Sequence, residues 1–350
     1  MTRTDLPRGT RQVRAGDLVE VRGEAEILAT LAADGTLDGL PFMPEMLASC
    51  GRQLVVDNRA DTSCFMGGLR GMDATVHLTA GRRDGSAHGG CQANCLLFWK
   101  EEWLRPVAPT EGDGPTSATR EPLARAGAVR SDLDRGTHQP GSPTSGPDER
   151  WSCQNTQLRE ASTRIPHWDL RHFVRDVRNG SVPARTVLRY LLPYLTGTYQ
   201  GVTSNRLPRW LLIRGGARLP AVHGSLTKTP VLQLDLQPGE PVRVRTRQQI
   251  RQTVDRNARN RGLTFETEMT PYCGRSMRVD RRVNRLIDDW TGRMLDLGTP
   301  CIVLEGAVCK GLYHGLCTRR TDTFWREIWL DPESEAESKR ETSETGVAPE

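Results

Sequence analysis

The chain has 350 residues, of which 26% are charged and 36% hydrophobic, and it carries a net charge of +5. Its length predicts two or three domains, and its low apolar share predicts that part of it lies outside any packed core. No apolar run approaches the roughly 20 residues of a membrane helix, and the N-terminal residues lack the apolar segment of a secretory signal. We therefore expect a cytoplasmic protein that does not span a membrane.

The first predicted module covers residues 16–108 and follows an N-terminus, residues 1–15, that we expect to be disordered. It opens with a strand in which polar and apolar residues alternate, followed by a short helix and further strands. These elements are predicted at residues 17–22, 25–31, 52–59, 74–78 and 98–104. In the last of them, alternation places Trp99, Glu101 and Trp103 on one side of a strand.

A segment rich in Pro, Gly, Ser and Thr, residues 109–150, predicts a flexible linker. Residues 151–236 form a middle segment that we expect to be helical. Asp169 can cap one helix, and Pro183 lies at the start of a second helix that reaches Leu192.

The second predicted module, residues 237–331, repeats the first. At an offset of 223, without a gap, the pairs are Gly16 and Gly239, Val19 and Val242, Val21 and Val244, Ile27 and Ile250, Thr30 and Thr253, Phe42 and Phe265, Glu45 and Glu268, and Cys50 and Cys273. At an offset of 226 they are Gly85 and Gly311, His88 and His314, Cys91 and Cys317, Trp99 and Trp325, and Trp103 and Trp329. A chance similarity would not keep one alignment register across residues as rare as Cys, His and Trp. We therefore infer an internal duplication.

The predicted fold class is α+β and mostly β. Two small SH3-like or related barrels, one from each copy of the duplication, flank the helical middle segment. The acidic tail, residues 332–350, is expected to be disordered.

Cysteine and histidine recur in both modules. The nine cysteines of the chain, an odd number in an expected cytoplasmic protein, argue against disulfides and favour metal binding, reactivity or burial. The His-Gly-x-Cys spacing lets both side chains reach one ion, and structural zinc takes four ligands, commonly three Cys and one His. We therefore predict two zinc sites, with the ligands Cys50, His88, Cys91 and Cys95 in the first and Cys273, Cys309, His314 and Cys317 in the second.

The fourth ligand is the part of each site in which the modules differ. Cys64 is an alternative to Cys95, and Cys301 is an alternative to Cys309, while Arg83 occupies the position of Cys309 in the first module. Either each module completes its site differently, or one site is complete and the other degraded. An iron–sulfur cluster, a nucleophilic Cys with His as base, and buried residues that bind nothing are the alternatives to zinc.

Three other groups of residues have two interpretations each. Glu45 and Glu268 could act as general bases, but their recurrence in both modules favours hydrogen bonding to the backbone. His167 and His172 could ligate a metal, although the intervening Asp169 has a role as a helix cap. The recurring tryptophans could stack on bases or sugars, but core packing is favoured; they are Trp99, Trp103, Trp325 and Trp329.

Several sequence blocks resemble a family of largely uncharacterised bacterial proteins. The blocks are GLPFMPEM, DGSAHGGCQANC, FWKEEWL, CQNTQLREAS, HWDLRHFVRDVRNG, PGEPVRVR, PYCG and HGLC. The resemblance covers most of the chain apart from the linker and the tail. It implies a shared fold and, because some members are encoded among biosynthetic genes for polysaccharides or natural products, a place in such a pathway. It implies no activity, and the family's pattern has a Cys where this chain has Arg83.

The leading hypothesis is a zinc-binding protein of bacterial specialised metabolism or polysaccharide biosynthesis, either a metalloenzyme or a scaffold that binds a protein or small-molecule partner. Its catalytic residues are not identified by the sequence. A third hypothesis is nucleic-acid binding by the arginines of the second module, which are Arg243, Arg245, Arg247 and Arg251. The modest net charge does not favour it.

Overall fold

The first half of the chain forms an antiparallel sheet with the strand order β8-β7-β4-β1-β9. The computed structural model describes residues 12–65, 68–79, 81–107, 128–203, 208–212 and 222–334. The elements of the first half are β1 (Leu18–Val21), α1 (Glu24–Thr30), β2 (Thr36–Leu37), β3 (Leu40–Pro41), β4 (Gln53–Arg59), β5 (Ser63–Phe65), β6 (Gly68–Gly71), β7 (Thr75–Leu78), β8 (Trp99–Lys100) and β9 (Leu104–Pro106). The helix and the strands predicted at residues 17–22, 52–59 and 74–78 are thus present, within one or two residues of their expected bounds.

The sheet of the first half is strongly curled. Its edge strands, β8 and β9, are separated in sequence only by a 3₁₀ turn, Glu101–Trp103. Five flat strands would hold their edges about 19 Å apart, whereas three residues of 3₁₀ helix rise only about 6 Å. The sheet therefore bends into a half-barrel. The single strand predicted over 98–104 is wrong, because the chain turns there to pass from one edge of the sheet to the other.

The middle of the chain is helical, and part of the predicted linker is folded. Its elements are α2 (Arg130–Arg135), β10 (Thr163–Arg164), α3 (Arg171–Arg178), α4 (Ala184–Thr203) and a 3₁₀ turn, Arg209–Leu211. Helix α2 lies inside the segment predicted as a flexible linker, and it is fixed there because Leu133 is buried in the core of the first half. Helix α4 continues through Pro193 well beyond the expected end at Leu192, because Tyr194 is buried in a cluster with Phe173 of α3.

The second half forms a sheet with the order β15-β14-β11-β16. Its elements are β11 (Pro241–Val244), α5 (Arg247–Arg251), β12 (Arg259–Asn260), β13 (Leu263–Thr264), β14 (Ser276–Ile287), β15 (Met294–Leu304) and β16 (Leu330–Pro332). As in the first half, a 3₁₀ turn, Glu327–Trp329, directly precedes the edge strand β16. Strands β14 and β15 extend beyond the sheet as a long hairpin, which reaches the first half.

Residues at matched positions of the two halves make matched contacts. Strand β1 pairs with β4 and β9, and β11 pairs in the same way with β14 and β16. The indole of Trp103 donates to the Thr30 hydroxyl at 3.1 Å, and that of Trp329 donates to the Thr253 hydroxyl at 3.0 Å. All four recurring tryptophans are fully buried, two in the core of each half, so they do not offer their rings to bases or sugars.

The N-terminal residues that the structure describes belong to the folded part of the chain. Residues 12–15 are attached to the fold, since Val13 is buried and accepts a hydrogen bond from Arg59 through its carbonyl. The disorder predicted for residues 1–11 and 335–350, and the linker predicted for 109–127, concern residues outside the described part. Within the described ranges, no helix has the length and apolarity that crossing a membrane requires.

Candidate metal centre

The candidate centre is formed at a tight loop, residues 311–317, in the second half. The backbone N–H groups of His314 and Leu316 donate to the Gly311 carbonyl at 3.2 and 2.8 Å. Gly311 has a φ of +65°, and a Cβ at this position would lie 2.5 Å from the N and O atoms of Cys317. Only glycine lets the loop close in this way.

Three side chains of ligand type converge at the loop. The ligand atoms of Glu268, Cys309 and His314 all lie within 4.8 Å of one another. Glu268 comes from the 3₁₀ turn Thr267–Tyr272 and Cys309 from the segment before the loop; both are buried. In the described part of the chain, no other group of three or more Cys, His, Asp or Glu residues meets this distance.

Two polar atoms of this cluster have no hydrogen-bond partner among the described residues. They are Glu268 Oε2 and His314 Nδ1. Glu268 Oε1 accepts a hydrogen bond from the Tyr313 N–H at 2.6 Å and lies 3.6 Å from His314 Nε2. An unsatisfied buried polar atom costs about 1–3 kcal/mol. A bound cation would supply partners for such atoms.

The electrostatics of the cluster also favour a cation. Burial, followed by the negative charge of Glu268, raises the pKa of the Cys309 thiol far above its usual range. Burial likewise raises the pKa of Glu266, with Glu268 adding to the effect. A metal ion would instead lower these pKa values, because it binds the thiolate and offsets the surrounding negative charge.

Cys317 lies beside the cluster and contacts a cysteine of the other half of the chain. It forms a side-chain hydrogen bond with Cys64 of β5. This bond, against burial and with help from the positive charges of Arg319 and His314, lowers the pKa of Cys64 to about 6. The same bond, together with burial, raises the pKa of Cys317. The two thiols are therefore electrostatically linked across the two halves of the chain.

His88, at the position that matches His314, has a partner at each ring nitrogen. His88 is fully buried, its Nδ1 lies 2.7 Å from Glu45 Oε1, and its Nε2 lies 3.0 Å from the Ser152 carbonyl oxygen. Burial raises the pKa of Glu45, but the bond to His88 and the charges of His88 and Arg83 outweigh it and lower that pKa. Both ring nitrogens of His88 thus lie within hydrogen-bonding distance of an oxygen, so His88 is a satisfied core histidine.

An arginine takes the position that Cys309 has in the second half. Arg83 is buried and donates to Cys91 Sγ at 3.1 Å. Burial opposes its charge, but the neighbouring sulfurs of Cys153, Cys95 and Cys91 more than offset this, so the pKa of Arg83 is raised. The guanidinium therefore serves as the cation of this cysteine cluster. Among the described residues, the ligand atoms predicted for zinc in the first module do not form a group within 4.8 Å of one another.

The other predicted ligands lie apart from the cluster of the second half. Cys50 and Cys273 end matched 3₁₀ turns and pack against the two cores, where burial raises the pKa of each thiol. Cys95 accepts a hydrogen bond from Asn155 at 2.8 Å, and burial raises its pKa to about 12. Cys301, the alternative in the second half, is buried and contacts Arg326.

Sequence reasoning did not include Glu268 among the ligand-type residues of the site. Its recurrence as Glu45 suggested backbone hydrogen bonding, and Glu268 does accept from the Tyr313 N–H. The signal that could have identified it is the joint recurrence of this glutamate with the histidine, because Glu45 contacts His88 as Glu268 approaches His314.

The remaining candidate residues have structural partners. Asp169 accepts from the Arg171 N–H at 3.0 Å, beside the start of α3, and the His172 ring lies in contact with Phe173. Two of the arginines considered for nucleic-acid binding are paired with carboxylates: Arg243 lies 2.7 Å from Glu333, and Arg245 lies 2.7 Å from Asp331. These pairs reduce the positive charge of that surface.

Comparison with known proteins adds no assignment. No known protein family, curated protein or solved structure matches this chain.

Proposed function

We propose that this protein binds one zinc ion at the cluster that includes Cys309 and His314, beside Glu268. The observation that carries the proposal is the convergence of three ligand atoms within 4.8 Å at a largely buried position, with two polar atoms left unsatisfied among the described residues. A buried group of this kind is stabilised when a cation is bound and destabilised when it is not.

The chemistry of the donor atoms favours zinc over other metals. Zinc accepts thiolate, imidazole and carboxylate ligands in a tetrahedral arrangement, whereas calcium and magnesium take oxygen ligands almost exclusively. An iron–sulfur cluster is normally held by four cysteines, and the sulfurs gathered here are those of Cys64, Cys309 and Cys317. This donor set fits a single ion better than a cluster.

We further propose that the two halves are duplicated SH3-like barrels and that only the second retains a metal. The matched strand pairings, matched 3₁₀ turns and matched indole–hydroxyl bonds support the duplication. The curled sheet of the first half supports a barrel. Arg83 in place of Cys309 supports loss of the first site, because a guanidinium already supplies the positive charge there.

The role we assign to the ion is structural, within a protein of bacterial specialised metabolism or polysaccharide biosynthesis, the setting implied by the sequence resemblance. A catalytic role is the second candidate. One observation favours it, because the His314 side chain is 35% exposed while Glu268 is buried. A catalytic zinc needs such an open side for water or substrate, whereas a structural zinc is closed by four protein ligands.

Elemental analysis of the purified chain tests the proposal. We expect one zinc per chain, and loss of that zinc in Cys309→Ser and in His314→Ala. The matched control is Cys301→Ser, because Cys301 is also a buried cysteine of the second half but lies outside the cluster. A metal-free wild-type chain, prepared without chelators, or full zinc in Cys309→Ser, would contradict the proposal.

A further inference from the structure

We infer that Cys64, in the first half of the chain, is a ligand of the zinc ion held by the second half, so that the ion joins the two halves. The ligands are then Cys64, Cys309, His314 and Cys317, which is the three-cysteine, one-histidine set of structural zinc. This inference rests on the proposed zinc binding and names the residues that complete the site.

Backbone contacts hold Cys64 at the metal-binding loop. The Thr318 N–H donates to the Thr62 carbonyl at 3.0 Å, and the Thr318 hydroxyl donates to the Arg59 carbonyl at 2.8 Å. Arg319 donates to the carbonyl of Cys64 itself at 3.1 Å. Residues 59–64 are thus joined to Thr318 and Arg319, which directly follow Cys317 and lie more than 250 positions away in sequence.

The side chains of Cys64 and Cys317 are neighbours within this frame. Cys64 and Cys317 form a side-chain hydrogen bond, and both also interact electrostatically with Cys309. The loop is held against the first half from its other side as well, since a Cβ on Gly315 would lie 2.6 Å from Leu69 Cδ1. The packing of the two halves therefore determines the position of Cys64, whose thiol is able to bind zinc.

The matching contact, between Gln92 of the first half and β14 of the second half, lacks the corresponding cysteines. The Gln92 N–H donates to the Arg285 carbonyl at 3.1 Å, as the Thr318 N–H does to the Thr62 carbonyl at the matched positions. The position that matches Cys64 is Ile287, whose N–H donates to Cys91 Sγ at 3.3 Å. The first half has thus lost both the partner cysteine and the Cys309 equivalent, whereas the second half has kept both.

Glu268 then has a supporting role. Its Oε1 lies 3.6 Å from Nε2 of His314, whereas Glu45 lies 2.7 Å from Nδ1 of His88, and it is fixed by the Tyr313 N–H. Histidine ligands of zinc are commonly oriented by a carboxylate on the ring nitrogen that does not bind the metal. Glu268 therefore positions His314 and need not bind the ion.

Cobalt substitution of the full-length chain tests the inference, since the thiolate-to-cobalt absorption reports the number of sulfur ligands. For Cys64→Ser we expect this absorption to fall by about one third, because one of three sulfurs is removed. Cys64→His should restore tight metal binding with the weaker absorption. Cys50→Ser, a partly buried cysteine of the same half, is the matched control and should resemble wild type.

The outcomes separate the inference from the proposed function. If Cys64→Ser keeps the wild-type spectrum while Cys309→Ser loses it, the chain binds metal but Cys64 is not a ligand. If both keep it, the proposed site is also wrong. Should the variants fail to fold, alkylation of wild type decides: zinc is expected to protect Cys64 until a chelator is added. Equal reactivity with and without zinc, or a Cys64–Cys317 disulfide in the zinc-loaded chain, would overturn the inference.

Discussion

Replacing Asp176 with asparagine is expected to stabilise the protein at neutral pH. Asp176 of α3 is 1% exposed, and the nearest cation, Arg175 Nε, lies 3.6 Å from its Oδ1. Burial, partly offset by Thr62 and Arg175, raises the pKa of Asp176 from 3.8 to about 6. A difference of about 2 pKa units corresponds to about 3 kcal/mol between the two protonation states.

The sign of the pH dependence follows from this pKa. Between pH 3.8 and about 6 the folded state keeps a proton on Asp176 that the unfolded state has lost. The contribution of Asp176 to the free energy of unfolding therefore falls as pH rises through this interval and stays low above it. Asparagine carries no charge, so Asp176→Asn should exceed wild type by up to about 3 kcal/mol at neutral pH and match it near pH 4.

Urea unfolding followed by tryptophan fluorescence measures this difference. Wild type and variant are compared at each pH, so that effects common to both, including loss of metal in acid, cancel. Asp148→Asn is the control, because the Asp148 side chain is 80% exposed, and its difference from wild type should not change with pH. If Asp176→Asn is no more stable than wild type at neutral pH, or if the difference is independent of pH, the reasoning is refuted.

Three further outcomes are expected. The double variant Arg83→Cys with Ile287→Cys gives the first half the cysteines that the second half has at the matching positions. Elemental analysis should then show a second zinc. A single zinc would count against the equivalence of the two sites. Gly311→Ala should abolish zinc binding, because its Cβ clashes with Cys317. Gly306 has a φ of +70° but open space around it, so the control Gly306→Ala should lose stability yet keep the metal. Zinc retained in Gly311→Ala would show that the loop tolerates the change. Trp329→Phe removes a buried indole and its hydrogen bond and should lower the free energy of unfolding by about 1–3 kcal/mol in urea titrations; an unchanged midpoint would mean that the core repacks.

The two halves differ in the positive charge available beside their cysteine sulfurs. In the first half the guanidinium of Arg83 lies against cysteine sulfurs, and His88 is saturated with hydrogen bonds. In the second half a cysteine stands in place of that arginine, and polar atoms of the neighbouring residues lack partners within the described residues. An ion bound there would take over the electrostatic role that Arg83 has in the first half.

Recurrence in both modules does not by itself distinguish residues of the core from residues of the candidate site, because Glu268 and His314 recur as well. Cys50 and Cys273 recur and lie against the cores, as do the tryptophans. Two of the zinc ligands proposed above, Cys309 and Cys64, have no cysteine at the matching position of the other module. A residue that each half needs for folding is expected in both, whereas the proposed single metal ion would require its ligands only once.

The sequence alone determined the local elements: strands β1 and β11, helices α1 and α3, and the glycine-containing loops before Cys91 and Cys317. Alternation, capping residues and glycines act over a few positions, so these features can be predicted without knowing the fold. Only the tertiary structure decided which side chains meet. Cys64 and Cys317 are brought together by the packing of one half on the other, and no local pattern encodes a contact across more than 250 residues.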